Sequence, residues 1–280
     1  MAANFWTSSH CKLLLDPEVV NAVHPLDKER GITLEDCKLI KLHMSNYIAR
    51  LAQTVTLRQR VVATAISYMR RVYVRKSMTE YDPRLVAPAC LYLASKAEES
   101  TVQARLLVFY IRKLCKQLNI LTANLHFFSL STPYMLLTCH YISPDPDDKY
   151  RYEIKDILEM EMKVLEALDY YLVVFHPYRC LSQLLQDAGM NDAIQLTWGI
   201  VNDTYKMDLI LVHPPHLIAL ACIYIASVLK DKEITSWFEE LQADMNVVKN
   251  IAMEILDFYD SHKMITDERV TVAMSKLVGK

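Results

Sequence analysis

The sequence predicts an all-α protein made of two tandem helical bundles, with a short helix ahead of them. Three observations carry this prediction. Glycine is scarce, with 4 in 280 residues, where a usual share of about 7% would give roughly 20. Tight turns between strands lean on glycine, so a β-rich fold is disfavoured. No convincing strand-length run alternates apolar with polar residues. Third, the chain repeats itself. PRLVAPACLYLASK at 83–96 and PHLIALACIYIASV at 215–228 agree at 8 of 14 positions, at an offset of 132. Each copy opens on proline and is apolar nearly all round, the pattern of a central buried helix. Two such helices, each flanked by amphipathic ones, imply two copies of one bundle.

The elements follow in order. A short helix is expected over 9–15, with Thr7, Ser8 or Ser9 as its cap and Pro17 after it. Thr33-Leu-Glu-Asp36 fits a capping box ahead of the periodic stretch 39–51. Helices follow over about 57–76, 84–99 and 101–115, and then 150–168. His176-Pro177 separates these from helices at about 178–188, 192–207, 215–230, 235–242 and 245–262. A tail helix is expected over 267–277. The segment 116–147 breaks the pattern. Its body KQLNILTANLHFFSLSTPYMLLTCHYI carries one charge and four aromatics, without a clear period, and Asp145-Pro-Asp-Asp148 closes it with turn chemistry. It reads as an inserted, loosely ordered loop, beside the helix that holds Glu161.

Composition excludes several function classes. The missing glycines remove GxGxxG, the P-loop and the GxSxG elbow, whose backbones must approach phosphate or turn sharply. Net charge is −2 and the pI about 6.5, without the basic excess usual in DNA-binding domains. Seven cysteines form no CxxC pair and read as small core residues in a reducing compartment. The first ten residues lack a signal-peptide pattern, and the longest strongly apolar run, 217–229, is shorter than the roughly 20 residues of a membrane span. A soluble intracellular protein is expected, with no cofactor, metal or catalytic residue of its own.

A few residues stand out. Lys96 closes the first central helix, where the macrodipole favours cations, and in that light it is an ordinary solvated lysine. Glu98 and Glu99 beside it are at the wrong end for their charge. The second copy has Val228, Lys230 and Asp231 at the positions of Lys96, Glu98 and Glu99, so the charged cluster is not required to build a bundle. Glu161 falls inside an apolar stripe of Ile154, Ile157, Leu158, Met162, Leu165 and Leu168. It is either at the stripe's edge or in need of a partner, which a lysine on a neighbouring helix would supply. His213-Pro-Pro-His216 suits a helix start better than a zinc site. The run 54–78 has no acid but carries Arg58, Arg60, Arg70, Arg71, Arg75 and Lys76. Its ordinary reading is a solvated basic face, and its sharper one a contact for phosphate or an acidic partner. Trp198 with Asn202-Asp203 is an aromatic–polar cluster, and Phe5-Trp6 is expected to dock on this chain or on a partner.

LVAPACLYLASKAEES followed by DILEMEMKVLEALDYYLVVFHPY resembles the cyclin family. Residues 1–10, His176-Pro-Tyr-Arg179 and 201–205 resemble its C-type branch, in the plant form. The resemblance covers 1–115 and about 148–264. It implies two tandem five-helix cyclin boxes plus a short N-terminal helix. The first box would span 33–172, interrupted at about 116–147, and the second 177–264, with an extension at 1–32 and a tail at 265–280. It also implies a nuclear, non-catalytic activator of the cyclin-dependent kinase of the Mediator complex, acting in RNA polymerase II transcription. Lys96 and Glu161 match the family's kinase-contacting pair, with Glu98 and Glu99 on the same surface. Trp6, Glu98, Trp198, Asn202, Asp203 and Tyr259 match a groove that receives a second Mediator subunit. The chain lacks the MRAIL-like substrate-docking motif of cell-cycle cyclins. Two other readings stay open. A twin-bundle nucleic-acid-binding factor of the IIB type would show salt-sensitive DNA binding, and an enzyme with a helical pocket would show turnover by the chain alone.

Overall fold

The computed structural model describes residues 4–121 and 152–277, and among these every regular element is helical. Three short helices come first: α1 (Ser9–Lys12), α2 (Pro17–Val20) and α3 (Pro25–Glu29). Then come α4 (Leu34–Thr54), α5 (Gln59–Arg75), α6 (Pro83–Ala97), α7 (Ala104–Leu121) and α8 (Ile154–Ala167). The chain continues through α9 (Tyr178–Asp187), α10 (Ile194–Thr204), α11 (Leu209–Val212) and α12 (Pro215–Leu229). It closes with α13 (Thr235–Glu240), α14 (Met245–His262) and α15 (Asp267–Ser275).

These helices form two compact units. The first comprises the described residues of Asn21–Leu172 and Thr266–Lys280, and the second those of Met1–Val20 and Val173–Ile265. Each terminus therefore joins the unit farther from it in sequence. In the first unit α6 packs against α5, α4 and α8. Val86, Ala87, Ala89, Cys90, Leu91 and Ala94 on α6 are fully buried, and the alanines let neighbouring helices come close. In the second unit α12 packs against α14, α10 and α9, with Ala219, Ala221, Cys222 and Ala226 buried in the same way. Both repeats begin with proline at the first helical turn, where the missing N–H costs nothing.

Local chemistry sets the ends. Thr33 Oγ1 accepts from Asp36 N at 3.1 Å while the Asp36 carboxylate accepts from Thr33 N at 2.8 Å, the expected capping box of α4. The same carboxylate accepts from Lys276 Nζ at 2.6 Å, and Arg269 pairs with Glu35. With Val270, Ala273 and Leu277 buried, these contacts seat α15 on α4. Asp27 of α3 accepts from Ser77 Oγ, Met78 N, Thr79 N and Thr79 Oγ1 at 2.6–3.0 Å, which fixes the connection between α5 and α6. In the second unit Leu15 N donates to Leu211 O at 2.8 Å, and His10 Nδ1 accepts from Phe175 N at 3.0 Å.

Several expectations change. Pro17 does not merely follow a helix but starts α2, and Pro25 starts α3. Both are single-turn elements too short to show a period. The helix expected to stop at 115 continues as α7 to Leu121, because nothing in that stretch is a glycine or proline stop. The rest of the 116–147 insertion, from 122 on, lies outside the described residues. The stripe drawn through α8 is partly misplaced. Ile157, Met160, Glu161, Val164, Ala167 and Leu168 are buried, whereas Leu158 and Met162 face solvent. Five cysteines fall among the described side chains. Cys37, Cys90 and Cys222 are buried, and Cys11 and Cys180 are intermediate. Burial raises the thiol pKa of Cys90 and Cys222, which leaves them inert. No described helix is long and apolar enough to cross a membrane.

Candidate partner-binding site

Glu161 lies on the buried face of α8, and the packing of α8 on α6 brings it to the C-terminal turn of α6. Lys96 Nζ donates to both of its carboxylate oxygens, at 2.8 and 2.9 Å. The burial is lopsided: the Glu161 side chain is 7% exposed and that of Lys96 43%. Lys96 also sits over the Tyr92 ring, 4.2 Å from its centroid. Burial by itself would lower the Lys96 pKa, but the hydrogen bond and charge of Glu161 outweigh it and raise the pKa. A pair with one partner so open to water contributes only about 0–1 kcal/mol. Without Lys96, however, a carboxylate would be left in a low-dielectric site. The arrangement therefore contributes little to stability, yet it fixes the half-exposed ammonium of Lys96 at the surface, over a buried carboxylate.

The rim of this pair is apolar. Leu158 lies one turn before Glu161, and Met162, four residues after Leu158, is 52% exposed. On α7 the exposed Leu106 and Phe109 share a face at a spacing of three. Water-exposed apolar side chains on the helix that carries half of a fixed charge pair suit a protein surface better than a small molecule.

The acids after Lys96 behave differently from each other. Glu98 turns back on its own unit, with Oε1 accepting from Thr64 Oγ1 and Oε2 paired with Arg60 Nε, each at 2.7 Å. Glu99 is exposed and adopts φ 53° as the left-handed cap of α6, with Ser100 N donating to Ser95 O at 2.8 Å. The acid open to a partner is thus Glu99.

The basic run 54–78 is not one solvated face. Arg70 is buried and donates to Ser45 Oγ at 3.4 Å. Arg60 and Arg75 are matched by Glu98 and Asp169. The helical period sends these side chains to different sides of α5, which spacing in sequence had hidden.

In the second unit Trp198 stacks on Tyr178 at 4.7 Å, and Tyr178 stacks on Tyr205 at 5.9 Å. The Tyr178 hydroxyl donates to Asn202 Oδ1 at 2.6 Å. Asp203 accepts from Tyr259 Oη at 3.0 Å and from Lys206 Nζ at 2.7 Å. Burial, followed by the Asp203 charge, pushes the Tyr259 hydroxyl pKa up. Phe5 lies edge-on to His10 and Phe175. Trp6 stays exposed, its ring 5.0 Å from that of His216. Trp6, Trp198, Asn202, Asp203 and Tyr259 thus share one unit, and Glu98 belongs to the other. Sequence reading missed Tyr178 and His176. Tyr178 carries the stack, and His176 Nδ1 lies 2.5 Å from the Tyr205 hydroxyl. The His-Pro-Tyr run that holds both marks the family resemblance and the boundary between the helical sets, and nothing local in it announces the stack.

The family model described as cyclin, N-terminal domain, matches residues 20–173. Cyclin-C1-1 of Oryza sativa subsp. japonica is 64% identical over 285 aligned residues, covering 100% of both chains. Cyclin-C1-2 of Arabidopsis thaliana is 64% identical over 279, covering 99% of this chain and 98% of its own. Among solved structures, a chain of the yeast TFIIK (Kin28/Ccl1/Tfb3) complex shares the fold with a TM-score of 0.63 at 17% identity, over 90% of this chain and 100% of that one. The family match, the full-length identity to plant relatives and the twin helical bundles agree that this chain belongs to the cyclin family, in its plant C-type branch.

Proposed function

We propose that the chain is the non-catalytic regulatory partner of the cyclin-dependent kinase of the Mediator complex, working in the nucleus on RNA polymerase II transcription. The observation that carries this reading is the Lys96–Glu161 pair, fixed at the surface between exposed Leu158 and Met162. The mechanism is a population shift. The apolar rim packs on the kinase αC helix while Lys96, Glu161 and Glu99 bind its polar groups. The αC helix is then held inward, where its glutamate reaches the β3 lysine and completes the phosphate-binding site. All the chemistry belongs to the kinase, and the cyclin needs no cofactor.

Co-purification with the Mediator kinase, together with phosphorylation of the polymerase tail, tests the reading. The double change Lys96→Ala/Glu161→Ala should abolish both. Full activation by that variant would overturn it. In the second unit, Trp6, Trp198, Asn202, Asp203 and Tyr259 are proposed to receive a second subunit of the Mediator kinase module. Trp198→Ala with Asp203→Ala should then remove stimulation by that subunit and leave kinase binding intact.

A further inference from the structure

Two groups converge on the ammonium of Lys96. Glu161 accepts its hydrogen bonds at 2.8 and 2.9 Å, and the Tyr92 ring lies 4.2 Å away, from Nζ to centroid. Tyr92 precedes Lys96 by four residues on α6, a spacing that makes neighbours on a helix. A cation over the face of an aromatic ring is attracted by the ring quadrupole. Burial is the largest influence on the Lys96 charge and opposes it, yet Glu161 and after it Tyr92 outweigh that opposition.

The lysine needs such a holder. Its side chain is 43% exposed, and its four-carbon stem carries much rotamer freedom. An exposed ion pair gives back part of its attraction in fixing so long a side chain, and a side chain that must be ordered on binding lowers affinity. A tyrosine has only two side-chain torsions, so its ring is a rigid platform. The second unit shows what the same residue does without a lysine. Tyr224 occupies the matching place on α12, followed four residues on by Val228, and its ring meets Phe238 edge-on at 6.1 Å. Both tyrosines are half-buried. Among the described residues the Tyr92 ring has no such aromatic neighbour and faces the ammonium instead.

We propose that Tyr92 is a positioning residue of the kinase-binding site, the face of its ring holding the Lys96 ammonium in place before the kinase arrives. The inference rests on the kinase reading above and deepens it. Tyr92 acts through Lys96, and it is the ring, not the hydroxyl, that acts.

The test uses the full chain with three changes at this one position, each checked for folding by its melting temperature. Tyr92→Phe keeps the ring face and should bind the kinase as wild type does in titration calorimetry. Pentafluorophenylalanine in place of Tyr92 keeps a ring of similar shape but reverses the charge of its face, and affinity should fall about two- to fivefold. Tyr92→Leu removes the ring and should lose as much. Equal affinity of the Phe and pentafluorophenyl variants would overturn the proposal and make Tyr92 a packing residue. A loss in Tyr92→Phe as large as that in Tyr92→Leu would also overturn it, because the hydroxyl would then be the active part. A second measurement needs no kinase. NMR relaxation at the Lys96 Cε should report a more ordered side chain than that of exposed Lys249, unchanged in Tyr92→Phe and looser in the pentafluorophenyl variant. If the wild-type chain binds no kinase, the functional reading fails and this measurement alone judges the ring: equal order of Lys96 in the two ring variants would refute it.

Discussion

Helices α6 and α12 are one design used twice, and the difference between them separates scaffold from function. Both start on proline, bury the same Ala and Cys positions and close with the same cap. In that cap the serine hydroxyl donates to the tyrosine carbonyl three residues back, Ser95 to Tyr92 and Ser227 to Tyr224, at 2.7 and 2.8 Å. The residue after the cap turns left-handed, Glu99 at φ 53° and Asp231 at φ 52°. The two part ways at the position after the serine. Lys96 on α6 grips Glu161, whereas Val228 on α12 is 64% exposed. Burial is satisfied equally well in both, so the Lys96 cluster answers to something other than folding.

The largest expected effect breaks the pair on one side only. Lys96→Ala/Glu161→Ala should weaken kinase binding by about 100-fold or more, in line with loss of a central hot spot. Val228→Ala and Lys230→Ala, at the matching ends of α12, should leave it within about twofold. If calorimetry finds the two bundles equally sensitive, the asymmetry is decorative. Next come the shared cores. Ala94 and Ala226 are equivalent and fully buried, and Leu at either place overfills a close helix contact. Each should cost about 1–3 kcal/mol in urea denaturation. A cost at only one of them would show that the two helices are not packed alike.

What the sequence disclosed follows the same division. The scaffold was legible because its signals are local and repeated: Pro83 and Pro215, the Thr33–Asp36 box, the shared ACxYxAS core. Glu161 was legible as an acid in an apolar stripe, although Leu158 and Met162 in that stripe face out. Contacts that span the chain were not legible. Nothing near Asp27 announces its four bonds to 77–79. Nothing near Lys276 announces that it reaches Asp36, 240 positions away. The bonds of Glu98 to Arg60 and Thr64 were not legible either, because only the fold brings those residues beside it.

A smaller effect concerns a buried histidine of the first unit. His43 on α4 is buried, and burial followed by the Arg50 charge lowers its pKa from 6.5 to about 4. The unfolded chain takes up this proton at higher pH than the folded one. The stability contribution is therefore complete above pH 6.5 and is lost as pH falls toward 4. The loss should reach about 1 kcal/mol by pH 5.5. His43→Gln should flatten that part of the wild-type curve, measured by thermal melts between pH 7 and 5.5. An unchanged slope would mean that His43 does not titrate in this way.

The smallest effect sharpens the comparison at its last shared feature. Glycine takes left-handed backbone without strain, and for most other residues the cost is about 1–2 kcal/mol. Asp is among the side chains that tolerate this region better than most. Glu99→Gly should therefore stabilise the chain by about 0.5–1 kcal/mol, and Asp231→Gly by less, part of each gain being offset by the greater freedom of glycine when unfolded. The two changes should diverge further in binding. Asp231→Gly should leave kinase affinity alone. Glu99→Gly should lower it while raising the melting temperature, because it removes the exposed acid beside Lys96. A cap that becomes more stable as it becomes less able to bind would show that Glu99 is held in an unfavourable conformation for its partner and not for the fold.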